Sequence, residues 1–471
     1  MILASLLVGC PATEDSKSPG GRDSTADTAP DSGDSAADTG DTGVDTGDTA
    51  EPVASYSLGL AHLVVTGTVS RGELGAAMAL GDLDGDGLAE LVVGAPSGAG
   101  GGAVHVFSGG RSGRVTDAEA DARVAGLVGA ELGTGLAVLD DLDGDGLPEL
   151  AIGAPGHAER AGRVLIFAGP LVGPVPPASA LATIDGLAAG DEMGVELGPL
   201  GDLDDDGHPE LGVGAWMTDG NGVDSGALYG FARPTGALDA SAALLSILGE
   251  AGSDWLGYAF AGGHDIDGDG FDDLLVGADG VDRDADALAG AAYFWPGPVG
   301  TIDRVRLTGE RPAEFAGHAV ASGAGWAAVG AFGHGRAREG LVGIVTERPV
   351  EGTLVAAART TVSGTDGDLF GYALANAGDL DGDGVDDLAA SARDDDTVAA
   401  EAGATHLLLA PFTGRDTVVL LGEAEGDASG YALAGGRDYD GDALADVAVG
   451  AWHQGGAEGG GAVYVWTGSP E

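Results

Sequence analysis

The chain reads as an all-β protein, a seven-bladed β-propeller of four-stranded blades over residues 54–471, preceded by a stalk without regular structure. Three observations predict this. An aspartate-rich motif recurs six times at a nearly constant spacing. A seventh unit without the aspartates sits in the one double gap. Every unit also breaks into short apolar runs bounded by glycine and aspartate, which is how strands and turns alternate.

The first aspartates of the motif are Asp82, Asp141, Asp202, Asp265, Asp379 and Asp438, separated by 59, 61, 63, 114 and 59 residues. The interval of 114 is twice 57 and hides the missing unit, found at residues 315–331, where Gly330-Ala331 survives and the acidic loop does not. Internal repetition at one period is the mark of a repeat architecture. Within the first unit, runs at 76–80, 91–93, 103–107 and 123–127 supply four strands, the content of one propeller blade. The last unit ends on a third strand at 461–466, and an apolar run at 62–69 precedes the first unit. Joining the two completes a split seventh blade and removes an open sheet edge.

Each acidic loop has the chemistry of a calcium site. In the first, Asp82, Asp84 and Asp86 stand at positions 1, 3 and 5, the Leu88 carbonyl at position 7 and Glu90 at position 9. Such a loop can offer the six or so hard oxygens that calcium takes, and four carboxylates so close repel one another without a cation. The set recurs as Asp141, Asp143, Asp145, Leu147 and Glu149; as Asp202, Asp204, Asp206, His208 and Glu210; and as Asp265, Asp267, Asp269, Phe271 and Asp273. It recurs again as Asp379, Asp381, Asp383, Val385 and Asp387, and as Asp438, Asp440, Asp442, Leu444 and Asp446. Up to six Ca²⁺ are therefore expected. An EF-hand is excluded, because position 12 of the first loop is Val93 and not a bidentate glutamate. The last loop carries Ala443 where the others have glycine, so its bend is under more strain.

These units resemble FG-GAP repeats, the blades of the integrin α N-terminal propeller. The "FG" element stands as Leu74-Gly75, Leu132-Gly133, Met193-Gly194, Leu256-Gly257 and Phe370-Gly371, weakening to Phe315-Ala316 and Ser429-Gly430. The "GAP" element stands as Gly94-Ala95-Pro96 and Gly153-Ala154-Pro155 and drifts elsewhere, for example to Gly214-Ala215-Trp216. The resemblance implies a seven-bladed ring with structural calcium in the loops between first and second strands, and a partner-binding platform on the opposite face. On that face the sequence puts Trp216, Met217, Phe332 and Trp452 in second-to-third-strand turns and Trp255 in a fourth-to-first turn. They are candidates to anchor a partner or stack on sugar. The alternative is that they plug the central channel or pack between blades.

The N-terminus reads as an anchor. A short apolar run leads to Leu7-Val8-Gly9-Cys10, which resembles a bacterial lipobox with Cys10 as the lipidated residue, so residues 1–10 are expected as a lipoprotein signal peptide. Residues 11–53, rich in Asp, Thr, Ser and Gly, lack the apolar side chains to offset chain entropy and form a disordered linker. With one cysteine in 471 residues, no intrachain disulfide can form. The net charge of −56 excludes nucleic acid as a partner, and it leaves the lipid as the one contact with membrane. A monomeric, extracytoplasmic protein with a protein or polysaccharide ligand is expected. No GxSxG, HExxH or P-loop is present, so a binding module is favoured over the alternative, a secreted propeller hydrolase or lyase acting on polysaccharide. Arg393 with Asp394, Asp395 and Asp396 is the polar cluster that alternative would use.

Overall fold

Glycine and aspartate cut the chain into strands of two to nine residues, and the apolar runs between them decide where those strands pair. The computed structural model describes residues 54–467 apart from 99, 203–206, 284–286, 299–303, 414–416 and 456–458. The expectations for residues 1–53, Cys10 included, lie outside the described residues. Among these, no helix is long and apolar enough to cross a membrane.

The strands form seven antiparallel four-stranded sheets. Blade 1 is Met78–Gly81, Glu90–Ala95, Ala103–Phe107 and Ala122–Ala125, and each next blade repeats this order. The hidden fifth unit forms a full blade of Val320–Gly323, Trp326–Ala331, Leu341–Val345 and Thr360–Ser363. Blade 7 is split as the sequence expects. Its fourth strand is the N-terminal Leu63–Thr66, antiparallel to Ala462–Trp466 with Leu63 opposite Val465. Five blades also carry a feature that the sequence reading lacks: a short strand from the following unit adds in parallel to the outer edge. Gly113–Thr116 on Leu63–Thr66 and Ala54–Ser57 on Thr417–Leu421 are two of these straps.

Second and third strands, such as Glu90–Ala95 and Ala103–Phe107, are buried throughout, because each is covered on both faces by neighbouring blades; they read as continuous apolar runs rather than alternation. The outer Ala122–Ala125 alternates buried and exposed. Seven apolar clusters result, each shared by two adjacent blades.

The glycines of the repeat have a steric cause. A Cβ on Gly277 would lie 1.9 Å from the Gly317 carbonyl oxygen of the next blade, and one on Gly330 2.1 Å from that of Gly371. The "GA" glycine of one blade thus receives the backbone of the next. The second glycine has positive φ in every blade, including Gly317 at 86°. Parallel bridges tie the preceding residue to the neighbouring blade, and in blade 5 that residue is Ala316. The degenerate "FG" element is therefore Ala316-Gly317, one residue beyond the Phe315-Ala316 expected from sequence, where Phe315 drew the alignment to itself.

Candidate metal centres and the opposite face

The acidic loops join first to second strands, so all lie at one end of the ring. Their conformation follows from the aspartates accepting backbone N–H groups. Asp82 accepts from Gly85 at 2.7 Å, Asp86 at 3.1 Å and Gly87 at 3.0 Å. Asp84 accepts from the Asp86 N–H at 3.1 Å, and Asp86 from Leu88 at 2.8 Å. The same bonds recur from Asp141, Asp265 and Asp379. From Asp438 the bond to position 6 goes to Ala443, at 2.9 Å. Ala443 is there in the left-handed region at φ 72°, as its place in the bend requires.

The position-9 acid stands apart from the others. It begins the second strand, is buried, and accepts from the position-2 N–H: Glu90 from Leu83 at 2.7 Å, Glu149 from Leu142 at 2.6 Å, Asp387 from Leu380 at 2.9 Å and Asp446 from Tyr439 at 2.6 Å. The second oxygen accepts from the third-strand end in some blades, as Asp273 does from Gly297 and Asp387 from Ala410, both at 2.8 Å. Glu149 Oε1 and Asp446 Oδ1 are buried with no partner in the chain. Burial, helped by the loop aspartates, pushes Glu90, Glu149 and Asp446 up to about 7 and Asp387 up to about 6.

Donor oxygens converge to within 4.8 Å of one another in five loops: Asp141, Asp143, Asp145 and Glu149; Asp82, Asp84 and Glu90; Asp265, Asp267 and Asp269; Asp379, Asp381 and Asp387; and Asp438, Asp440 and Asp446. Opposite ligands in a calcium shell stand up to about 5 Å apart, so these sets and the two orphan oxygens fit a hard divalent cation. Asp86, Asp383, Asp442 and Asp273 lie outside their clusters. The first three each hold the N–H two residues on; Asp273 spends both oxygens on backbone donors. In the third loop Asp204 and Asp206 lie outside the described residues. Asp202 accepts from Gly207 at 2.9 Å, His208 is half-buried and Glu210 is buried.

Position-7 side chains link the loops around the ring. Leu147 lies over Gly85 of the preceding loop, Leu88 over Gly441 and Leu444 over Gly382. Backbone bonds follow the same path, Ala89 N–H to the Asp438 carbonyl at 2.8 Å and Ala445 N–H to that of Asp379 at 3.0 Å. Phe271 and Val385 are exposed. In blade 5 the loop shrinks to a tight turn, and the buried Trp326 donates its indole N–H to the Asp386 carbonyl at 3.0 Å.

On the opposite face the five expected aromatic and methionine positions are not freely exposed. Trp216 is buried and donates to Glu192 at 2.9 Å; Met217, Trp255, Phe332 and Trp452 are half-buried. Rings pack on rings, Trp216 against Trp255 at 6.1 Å and Tyr258 at 5.5 Å, Phe332 against Phe315 at 4.9 Å, and Trp452 against Tyr431 at 4.0 Å. Sequence reasoning missed the residues that connect them. Tyr258, His318, Tyr372 and Tyr431 each follow the "FG" glycine and form a chain of contacts of 4.9 to 5.7 Å between centroids. An aromatic residue repeated at that one phase was the available signal. Arg393 stands 4.4 Å over the Tyr372 ring and donates to Asp394 at 2.9 Å. That pairing places Arg393 in the aromatic chain. Missed as well was a row of buried carboxylates, among them Asp191, Asp254 and Asp368, each accepting the N–H three residues before it.

The FG-GAP repeat family model matches residues 74–107, 132–167, 256–295 and 370–408, in blades 1, 2, 4 and 6. Integrin alpha-5 of Xenopus laevis is 34% identical over 154 residues, 30% of this chain and 14% of that protein. Integrin alpha-V of Gallus gallus is 30% identical over 227 residues, 44% of this chain and 20% of that protein. The matched segments span a seventh to a fifth of these relatives' own length. A solved structure of BBS1N in complex with ARL6DN, soaked with mercury, aligns at TM-score 0.48 with 12% identity, over 82% of this chain and 90% of that one. The FG-GAP repeats and the similarity to integrin α chains together support an integrin-like β-propeller.

Proposed function

We propose that the ring is a calcium-stabilised extracellular binding or adhesion platform, held at a cell surface through Cys10 and the linker that follows it. The observation that carries the reading is the convergence of carboxylate oxygens in five loops at one phase of the repeat. Calcium, bound there, supplies charge neutralisation: it would be held by Asp82, Asp84 and Glu90 and their counterparts, and would fix each first-to-second-strand hairpin. The third loop makes a sixth site if Asp204 and Asp206 follow the same pattern. The ligand is a protein or polysaccharide, and the docking face is the end away from the acidic loops, where the half-buried edges of Trp255, Phe332 and Trp452 ring the aromatic chain. The reading is of a binding protein rather than an enzyme, in keeping with the similarity to integrin α chains.

The test is metal analysis of the purified chain together with melting in calcium and in EGTA. Retained calcium and a fall in melting temperature on chelation are expected. A metal-free protein whose melt ignores EGTA would refute the calcium reading, and cell-surface labelling of Cys10→Ala equal to the native chain would refute the anchor.

A further inference from the structure

The seam where blade 7 closes on blade 1 carries, at two matched positions, a histidine that blade 6 shares and an acid that stands apart. On the third strand, the residue paired with the one just before the "GA" glycine is Leu165, Tyr229, Tyr293, Gly343, His406 and Tyr464 in blades 2 to 7, and His105 in blade 1. The short helical turn that leads into the fourth strand opens on Leu58, Pro177, Ala240 or Leu354 in blades 7, 2, 3 and 5, and on Asp117 in blade 1. The two positions touch. Leu354 lies against Gly343, and the Asp117 carbonyl stands 3.0 Å from His105 Nδ1.

Beside this pair is a cavity of about 300 Å³, the lower end of the range for small-molecule sites. Val69, Leu74 and Ala103 form apolar wall, Asp117 and His105 line it, and Arg123 stands exposed at its rim. Asp117 is 6% exposed and His105 5%. Asp117 Oδ1 is buried and has no hydrogen-bond partner in the chain, a costly state for a carboxylate oxygen. Burial holds His105 below its ordinary pKa and so uncharged. With Nδ1–H donating to the Asp117 carbonyl, Nε2 is left as an acceptor. The cavity thus offers two acceptors in an apolar wall and a guanidinium at the mouth, since Arg123 is the cross-strand partner of His105.

We propose that this seam cavity binds a compact molecule with a primary ammonium beside a carboxylate on a short aliphatic body, the chemistry of a small aliphatic α-amino acid. The ammonium meets Asp117, the carboxylate meets Arg123, and the aliphatic part lies on Val69 and Leu74. The proposal is independent of the calcium loops, which lie at the other end of the strands.

The test is equilibrium dialysis of the full chain with L-leucine as probe, in excess calcium. Saturable uptake of one molecule per chain is expected. Asp117→Leu installs the residue that stands here as Leu58 and Leu354; it should fold, melt no lower than the native chain, and bind L-leucine about tenfold more weakly or worse. Asp117→Asn, of the same shape, should lose binding as well. Arg123→Ala should weaken L-leucine while leaving 3-methylbutylamine, which lacks the carboxylate, unaffected. No saturable uptake by the native chain, or L-leucine binding that survives both Asp117 substitutions, overturns the proposal.

Discussion

Removing the cation should weaken the ring most at alkaline pH and least in mild acid. In the cation-free chain Glu149 is pushed from 4.5 up to about 7, by burial first and by Asp143, Asp141 and Asp145 after it. An acid whose folded pKa exceeds its unfolded value is preferred protonated by the fold. Its cost is absent below about pH 4.5, grows through the interval and is complete above about pH 7. At full extent the shift corresponds to about 3 kcal/mol. Glu90 and Asp446, in the adjoining blades 1 and 7 of the ring, are raised to about 7 as well, each with a cost of the same order. A cost of that size at even one loop is a large part of a domain's whole stability. A bound cation removes this cost by neutralising the carboxylates, and protons compete with it as pH falls. The assay is calorimetric melting in excess calcium and in EGTA at about pH 8 and about pH 5.5, on either side of most of the titration. The gap between the two melts should be wide at the higher pH and narrow at the lower. A gap that is equal at both, or that widens on acidification, would refute the role given to the buried position-9 carboxyls.

Gly277→Ala should lower stability by about 1–3 kcal/mol, because its methyl group meets the Gly317 carbonyl oxygen and neither backbone can withdraw; an unchanged denaturation midpoint would count against the blade contact. Ala443→Gly should raise stability by up to about 1 kcal/mol, since the bend holds this alanine at φ 72°, and isothermal titration should show calcium binding there preserved. Trp326→Phe removes the donor to the Asp386 carbonyl and should cost about 1–3 kcal/mol, read from urea unfolding; a smaller loss would show that the indole serves as bulk alone.

Much of the ring was legible because its constraints are local and repeated. Asp-x-Asp-x-Asp-Gly fixes a loop through bonds that reach no further than five residues, so Asp141 and its neighbours could be placed from spacing. The "GA" and "FG" glycines were legible as punctuation, though their cause, a carbonyl of the next blade, is tertiary. What stayed hidden depends on contacts between units. Phe315 looked like the "FG" residue because it is aromatic, whereas the bridge from Gly290 selects Ala316. Trp216 was open to two readings in its turn, anchor or packing, and Glu192 and Trp255 of neighbouring turns, which enclose it, decide for packing. The straps Gly113–Thr116 and Ala54–Ser57 were missed because they are too short to show a period. Asp117 drew no notice, since its interest lies in the leucine, proline or alanine that blades 2, 3, 5 and 7 place there.

The strand Leu63–Thr66 has a consequence for how the protein is made. Synthesised ahead of the blades, it is an apolar segment whose antiparallel partner, Ala462–Trp466, is made only after all the blades between them. Until then its hydrogen-bonding edge is open, while the middle blades can already stack on one another. The nascent chain is therefore an unclosed arc with one unsatisfied margin at each extremity. Folding has to keep those margins from meeting the wrong neighbour, a second copy above all, in which the same strand could complete another molecule's circle.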